Sequence, residues 1–242
     1  MATYRYASPG GTARRLLLDR RTFVLGAAAA LGGCVSQTSE PSVEPIGYAQ
    51  NRDPYYLRMY GPLPDERFPV PAADISAIEP RYLRQEVDFF GPEGAGTIVV
   101  DPDEKFLYLV REERRALRYG VGVGRDGFGW SGEATIGRKA EWPTWTPPAE
   151  MIERQPELEK YRYGQEPGLD NPLGARALYL FQGDRDTLYR LHGSREEWSI
   201  GRAVSSGCVR LLTQDIVDLY RRVPIGTKVI VRESRGTTGL TA

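Results

Sequence analysis

A chain of 242 residues can bury one good core and still carry a tail and an extension. Its 32 basic and 32 acidic residues balance, and no basic stripe is visible, which argues against nucleic acid as a partner. Glycine and proline are abundant, and the apolar runs are short and rich in Val, Ile and Tyr, so the composition favours a turn-rich, mostly β domain.

Residues 1–33 read as a targeting segment rather than as fold. Arg14, Arg15, Arg20 and Arg21 form a basic n-region, and Phe23 to Leu31 is an alanine-rich apolar run too short to span a bilayer. Asp19-Arg20-Arg21-Thr22-Phe23-Val24-Leu25 resembles a twin-arginine export signal, with Asp19 where Ser or Thr is usual. Leu31-Gly32-Gly33-Cys34 resembles a bacterial lipobox. That resemblance implies lipidation of Cys34 and a periplasmic protein held to the membrane by its lipid anchor only. An ordinary secretory signal with an incidental cysteine is the alternative. Cleavage removes five arginines and one aspartate and leaves a net charge of −4.

Residues 34–90 form a tether and an N-terminal extension. Val35 to about Gln50 is rich in Ser, Pro, Thr and Glu without period. From Asn51 to Phe90, scattered aromatics and prolines suggest a strap on the main domain, helical in part between Ile75 and Arg84. The regular pattern occupies residues 91–233. Thr97 to Val100, Phe106 to Val110 and Ala116 to Val123 read as an antiparallel meander, with Asp101-Pro102-Asp103 as turn chemistry. Gly122-Val123-Gly124-Arg125-Asp126-Gly127 matches G-x-G-x-x-G. The next residues, Phe128-Gly129-Trp130-Ser131-Gly132, are a poor helix start, so a dinucleotide site is rejected and no cofactor is expected. Ala134 to Gly137 suggests a short strand. Glu141 to Pro148, with two tryptophans among three prolines, reads either as the wall of a groove or as a buried plug. Ala149 to Asn171 reads as a solvated connection with a short helix over Glu150 to Gln155, stopped by Pro156.

Ala177 to Phe181 and Thr187 to Leu191 are strands, and the second delivers His192 at its end. Thr213 reads as a helix N-cap. Ile216, Leu219, Tyr220 and Val223 then recur at helical spacing, while Asp215 and Asp218 suit the helix dipole. Lys228 to Arg232 reads as a closing strand, and residues 234–242 as a tail.

The chemistry concentrates in two segments. His192 is the only histidine, and Cys208, sixteen positions on, is the one cysteine besides Cys34 of the lipobox. A leftover cysteine in an exported chain is a candidate reactive thiol. An adjacent imidazole can take its proton, the minimal unit of thiol acyl transfer. Gly207 could adopt an unusual turn and lend its N–H to an oxyanion hole. One His and one unlipidated Cys make a poor metal site.

His192-Gly193-Ser194 followed by Ser205-Ser206-Gly207-Cys208-Val209-Arg210 resembles the L,D-transpeptidase catalytic family (YkuD-like). The likeness extends through Gly96 to Asp101, Glu141 to Pro148, Asn171-Pro172-Leu173-Gly174, Asp215, Leu219-Tyr220 and Gly226 to Val229. Many members carry a second histidine where Ser206 stands, which puts substrate preference and rate in question rather than reaction class. The resemblance implies a mostly β, sandwich or barrel-like catalytic domain with a few short helices. It also implies a cysteine enzyme acting on peptidoglycan stem peptides. Cys208 would attack, with His192 as base. Gly193 would orient the imidazole, and backbone N–H groups near Gly207 and Cys208 would hold the oxyanion. D-Ala would leave, and an amine would resolve the thioester, giving a 3-3 cross-link or an envelope protein anchored to the wall. Ser205, Ser206 and Arg210 would contact substrate, Arg210 through a stem-peptide carboxylate; a structural ion pair is the other reading of Arg210. A non-catalytic wall-binding lipoprotein on the same fold is the alternative. Papain-like enzymes place cysteine before histidine, the reverse of the order here.

Overall fold

The computed structural model describes residues 53–125, 130–205 and 207–235. The targeting segment, the lipobox with Cys34, the tether, Ser206 and most of the tail lie outside the described residues.

The strands form where β-branched and aromatic side chains alternate or run together. In chain order they are β1 (Gln85–Asp88), β2 (Ile98–Asp101), β3 (Phe106–Val110), β4 (Arg115–Gly120), β5 (Val123–Gly124), β6 (Gly132–Glu141), β7 (Arg176–Gln182), β8 (Arg185–Ser194), β9 (Ala203–Ser205), β10 (Val209–Leu212) and β11 (Lys228–Val231). The helices are α1 (Pro54–Met59), α2 (Ala149–Arg154) and α3 (Thr213–Arg222), with 3-10 turns at Pro80–Tyr82, Pro156–Tyr161 and Glu197–Ser199. Nine strands make one mixed sheet in the order β1-β4-β3-β2-β11-β6-β7-β8-β10, and β5 pairs with β9 beside it. The expected mostly β architecture with a few short helices is therefore what the chain adopts.

The meander β2-β3-β4 is antiparallel as expected, and the turn between its first two strands is held locally. Asp101 Oδ1 accepts from the N–H groups of Asp103 and Glu104 at 3.1 and 3.0 Å. Several strands differ from the sequence reading. β4 stops at Gly120 and leaves Val123 to β5, and β8 runs on to Ser194, so His192 lies within it rather than at its end. β6 is ten residues long rather than four, because Arg138, Lys139 and Glu141 continue its pairing with β7; Arg138 and Glu141 stay exposed, while Lys139 Nζ donates to Tyr220 O and Val223 O, each at 2.7 Å. β11 does not close the sheet. It lies inside it, parallel to β2 and antiparallel to β6, with Val229 and Val231 buried. Nothing in a four-residue alternation distinguishes an edge from a centre.

One core, which includes Ile98, Leu107, Tyr119, Leu178, Leu191 and Leu211, packs beneath α3 through Ile216, Leu219 and Val223. That periodic face is the one the spacing predicted. The cap is not: Leu212 occupies the N-cap position and Thr213 is the first helical residue. β10 runs straight into α3 without a loop, so the Thr213 hydroxyl turns to the neighbouring strand and donates to Ser194 O at 3.3 Å.

The extension packs against this unit. Asp53 caps α1 by accepting from Tyr55 N–H at 2.7 Å, and Pro54 supplies a fixed φ at the first helical position. Tyr56, Tyr60, Ile75, Ile78, Tyr82 and Leu83 form a second core with Phe106, Ile200 and Leu212. β1 adds to the sheet beside β4.

Three polar anchors fasten the extension. Gln214 Nε2 lies 3.1–3.3 Å from the carbonyls of Tyr60, Gly61 and Pro71. Glu66 takes a bidentate pair from Arg176 at 2.7 and 2.8 Å and a bond from Trp142 Nε1 at 2.9 Å. Arg84 reaches Asp218 at 2.6 Å.

Beside that last anchor, Asp215 is fully buried. It accepts from Tyr60 Oη at 3.2 Å, and its other oxygen is 3.7 Å from Arg84 Nε. Burial outweighs that imperfect pairing and raises its pKa to about 7. The folded state therefore holds this proton more tightly than the unfolded one. The stabilisation is full below the ordinary aspartate pKa and is lost as pH rises through 7.

Candidate active site

Parallel pairing of β8 with β10 assembles the site. Arg210 is the register partner of His192, and side chains alternate along each strand. Cys208, two residues before Arg210, therefore comes to the face that carries His192. The two expected catalytic residues line one cavity of about 610 Å³, together with Arg210 and, on the walls, Trp145, Met151 and Leu158.

The cysteine sits at the end of a turn that needs glycine. Gly207 has φ +135°, a region that side-chain-bearing residues rarely enter. Ser205, almost fully buried, closes the turn from both ends: its Oγ donates to Cys208 O at 2.7 Å and accepts from Gly207 N–H at 3.2 Å. Ser205 shapes the cysteine turn with its hydroxyl and also lines the cavity. One expectation changes here. Gly207 N–H is already engaged and does not point an open donor into the cavity. Among the described residues, Cys208 N–H has no protein acceptor, so it is the open donor of the pair.

His192 is buried, and its Nδ1 lies 2.9 Å from Gly193 O. A carbonyl only accepts, so this contact puts the hydrogen on Nδ1 and leaves Nε2 as the lone-pair nitrogen. Gly193 is fixed by crowding, since a Cβ there would lie 2.9 Å from Ile216 Cγ2 on α3. The helix thus presses directly on the residue that orients the imidazole.

Burial lowers the His192 pKa to about 4. The Gly193 and Pro172 carbonyls pull it up, while the Arg210 and Arg190 charges push it down. Burial also raises the Cys208 thiol, with Arg190 and Arg210 pulling it back and Asp186 opposing them. The sulfur keeps partial solvent contact and lies 3.9 Å from Leu188 O. No hydrogen bond joins Sγ to the imidazole among the described residues, so the resting pair is a neutral thiol beside a neutral base.

Arg210 makes an ion pair with Glu196 inside the cavity, the structural contact that the sequence left open. Arg190, which sequence reasoning missed, shares the face of the sulfur. Asp186 holds it in a bidentate pair at 2.7 and 2.8 Å, and it lies 4.3 Å from the Tyr179 ring centre. Its place two residues before His192 on the same strand was the available signal.

Both tryptophans of the Glu141–Pro148 stretch line the cavity wall, Trp142 buried and bonded to Glu66, Trp145 half-buried. Residues 149–158, expected as a solvated connection, contribute Met151, Gln155 and Leu158 to that wall. Among the described residues, no His, Cys, Asp and Glu cluster could hold a metal.

The family model of the YkuD L,D-transpeptidase catalytic domain matches residues 95–231. "Probable L,D-transpeptidase YbiS" of Escherichia coli K12 is 34% identical over 145 residues, covering 55% of this chain and 43% of that protein. The chain therefore spans less than half the length of that relative. A Fuscovulum blasticum protein, named for an L,D-transpeptidase in the ATP synthase subunits region (ORF 5), is 38% identical over 147 residues. That match covers 60% of this chain and 73% of that protein. A solved structure from Brucella melitensis, described as a probable carnitine operon oxidoreductase caia, is 47% identical over 66% of this chain and 99% of that one. Its TM-score of 0.45 is too low for the superposition to bear on function. The chain belongs to the YkuD family of L,D-transpeptidase catalytic domains.

Proposed function

We propose that this chain is a peptidoglycan L,D-transpeptidase with Cys208 as nucleophile and His192 as base. One observation carries the reading: thiol and imidazole open into a single cavity, with Nδ1 of the imidazole bonded to Gly193 O so that Nε2 carries the lone pair. His192 Nε2 takes the thiol proton as sulfur attacks the carbonyl of the third stem-peptide residue, a diamino acid. The carbonyl electron pair moves onto oxygen, where Cys208 N–H receives it. Collapse expels the D-Ala amine, which takes its proton from His192, and a thioester remains. An acceptor amine then gives its proton to His192 and releases the thiol, yielding a 3-3 cross-link or a protein anchored to the wall. Residues 1–33 serve as the export signal, and a lipid on Cys34 holds the enzyme in the periplasm. Among the described residues, no helix is long and apolar enough to cross a membrane.

Stem tetrapeptide incubated with the protein and an amine acceptor should lose D-Ala. The Cys208→Ala protein should release none above background. Equal release by both, measured by amino-acid chromatography, would remove the thiol from the reaction.

The pH dependence comes from the buried imidazole. A base with a folded pKa of about 4 is unprotonated throughout the neutral range. Acylation should therefore hold steady from pH 8 down to about 5 and fall through pH 4. An acid limb centred near 6.5 would mean that the base is an ordinary exposed imidazole.

A further inference from the structure

One charge in the cavity takes no part in the proposed reaction. Glu196 lines it with Cys208 and His192, and Arg210 Nη1 donates to Glu196 Oε2. The backbone around this glutamate is fixed: its N–H donates to Ser194 Oγ at 3.1 Å, and its carbonyl accepts from Ser199 Oγ at 2.6 Å. Its carboxylate is not. Half exposed, it has Arg210 as its sole partner among the described residues, through one oxygen and one nitrogen. The remaining edge of that guanidinium meets no other acceptor among the described residues. The second arginine on this face is the contrast, because Arg190 is bidentate with Asp186, stacked on Tyr179 and 13% exposed. Arg190 is held on two sides, whereas Arg210 pairs with a half-exposed counter-ion through a single contact.

Distance along the strand says what could replace that counter-ion. Arg210 follows Cys208 by two residues on the same face, a separation of about 6–7 Å. A peptide attacked at the carbonyl before its last residue carries its free C-terminal carboxylate one residue beyond the reacting carbon. A guanidinium rooted at Arg210 reaches that position and offers two parallel donors to a carboxylate.

We infer that Glu196 is a built-in stand-in for the substrate's C-terminal carboxylate, covering Arg210 until a peptide with a free end displaces it. The inference rests on the proposed attack at Cys208. It makes Arg210 the residue that selects peptides ending one residue past the scissile bond. Glu196 sets how much of that preference appears as affinity. A ligand without the terminal charge gains nothing from Arg210 and does not displace Glu196.

The test is calorimetric titration of the full-length Cys208→Ala protein with a D-Ala-terminated stem tetrapeptide and with its C-terminal amide. The acid should bind more tightly than the amide. Adding Glu196→Gln should tighten the acid about fivefold, the scale of a part-exposed ion pair, and move the amide less than twofold. Adding Arg210→Gln should erase the preference for the acid, and Arg210→Lys, should the first variant fold poorly, should reduce it. The inference is overturned if Glu196→Gln shifts both ligands alike or neither, if the acid shows no binding to that protein, or if the acid preference survives loss of Arg210. Because the Cys208 thiol is absent from this titration, a wild-type protein that fails to acylate counts against Cys208 as nucleophile and leaves the result on Glu196 standing.

Discussion

Replacing His192 with Asn slows acylation of Cys208 by about 10²–10⁴-fold while the protein still folds, the range expected when a positioned general base is removed. Asn keeps an amide N–H that can satisfy Gly193 O, now 2.9 Å from Nδ1, but it offers no basic nitrogen. The thiol then ionises only to the extent its own pKa allows, and burial has raised that pKa. Stopped reactions followed by mass spectrometry give the rate, and circular dichroism reports the fold. A rate within tenfold of wild type would show that Cys208 does not depend on this imidazole. The same substitution affects stability with a definite sign. A buried histidine with a pKa of about 4 binds fewer protons than its unfolded counterpart, so wild-type stability falls as pH drops from 6.5 through 4. The Asn variant loses that part of the acid sensitivity.

The largest loss of stability is expected far from the sulfur. Glu66→Ala should destabilise the protein by about 3–5 kcal/mol, because it removes the bidentate carboxylate of the buried Arg176 charge and leaves it only the exposed Glu141 carboxylate at 3.6 Å and the Ala175 carbonyl. The two side chains are only 9% and 7% exposed and are joined by two bonds, with the Trp142 indole N–H as a third donor to Glu66. Those bonds hold the Glu66 carboxyl below the usual range despite its burial, so this stabilisation is present at neutral pH and lost as pH falls through the lowered value. Removing both charges in Glu66→Gln with Arg176→Met should recover much of the loss, since no charge is then stranded. Thermal unfolding reads both results, with the single variant melting on the order of 10 °C lower. A Glu66→Ala protein within 1 kcal/mol of wild type would mean that water already reaches the pair. Glu66 lies before the 95–231 family match, yet it holds Trp142, which lines the catalytic cavity. The extension is therefore part of what keeps the cavity in shape.

What could be read from the chain, and what could not, divides by range. The meander was visible because each strand is a compact apolar run joined by turn residues. His192 and Cys208 stood out because the chain has so few of either residue, and the parallel pairing of β8 and β10 brings them to one face. Hidden features depend on partners distant in sequence. Arg176 finds Glu66 across 110 positions and Tyr60 finds Asp215 across 155, so neither charge nor aromatic spacing signals the contact. Asp215 read as a helix-end acid and proves to be a buried one. Gly207 looked like an open oxyanion donor because sequence shows a glycine's freedom but not the Ser205 hydroxyl that engages its N–H.

The most direct measurement is intact-protein mass spectrometry after exposure to a carbapenem. The wild-type protein should gain one drug mass and Cys208→Ala none, with His192→Asn gaining it slowly. An adduct of equal extent on the Cys208→Ala protein, or an unmodified wild-type protein whose thiol is reduced and intact, would contradict nucleophilic catalysis at Cys208.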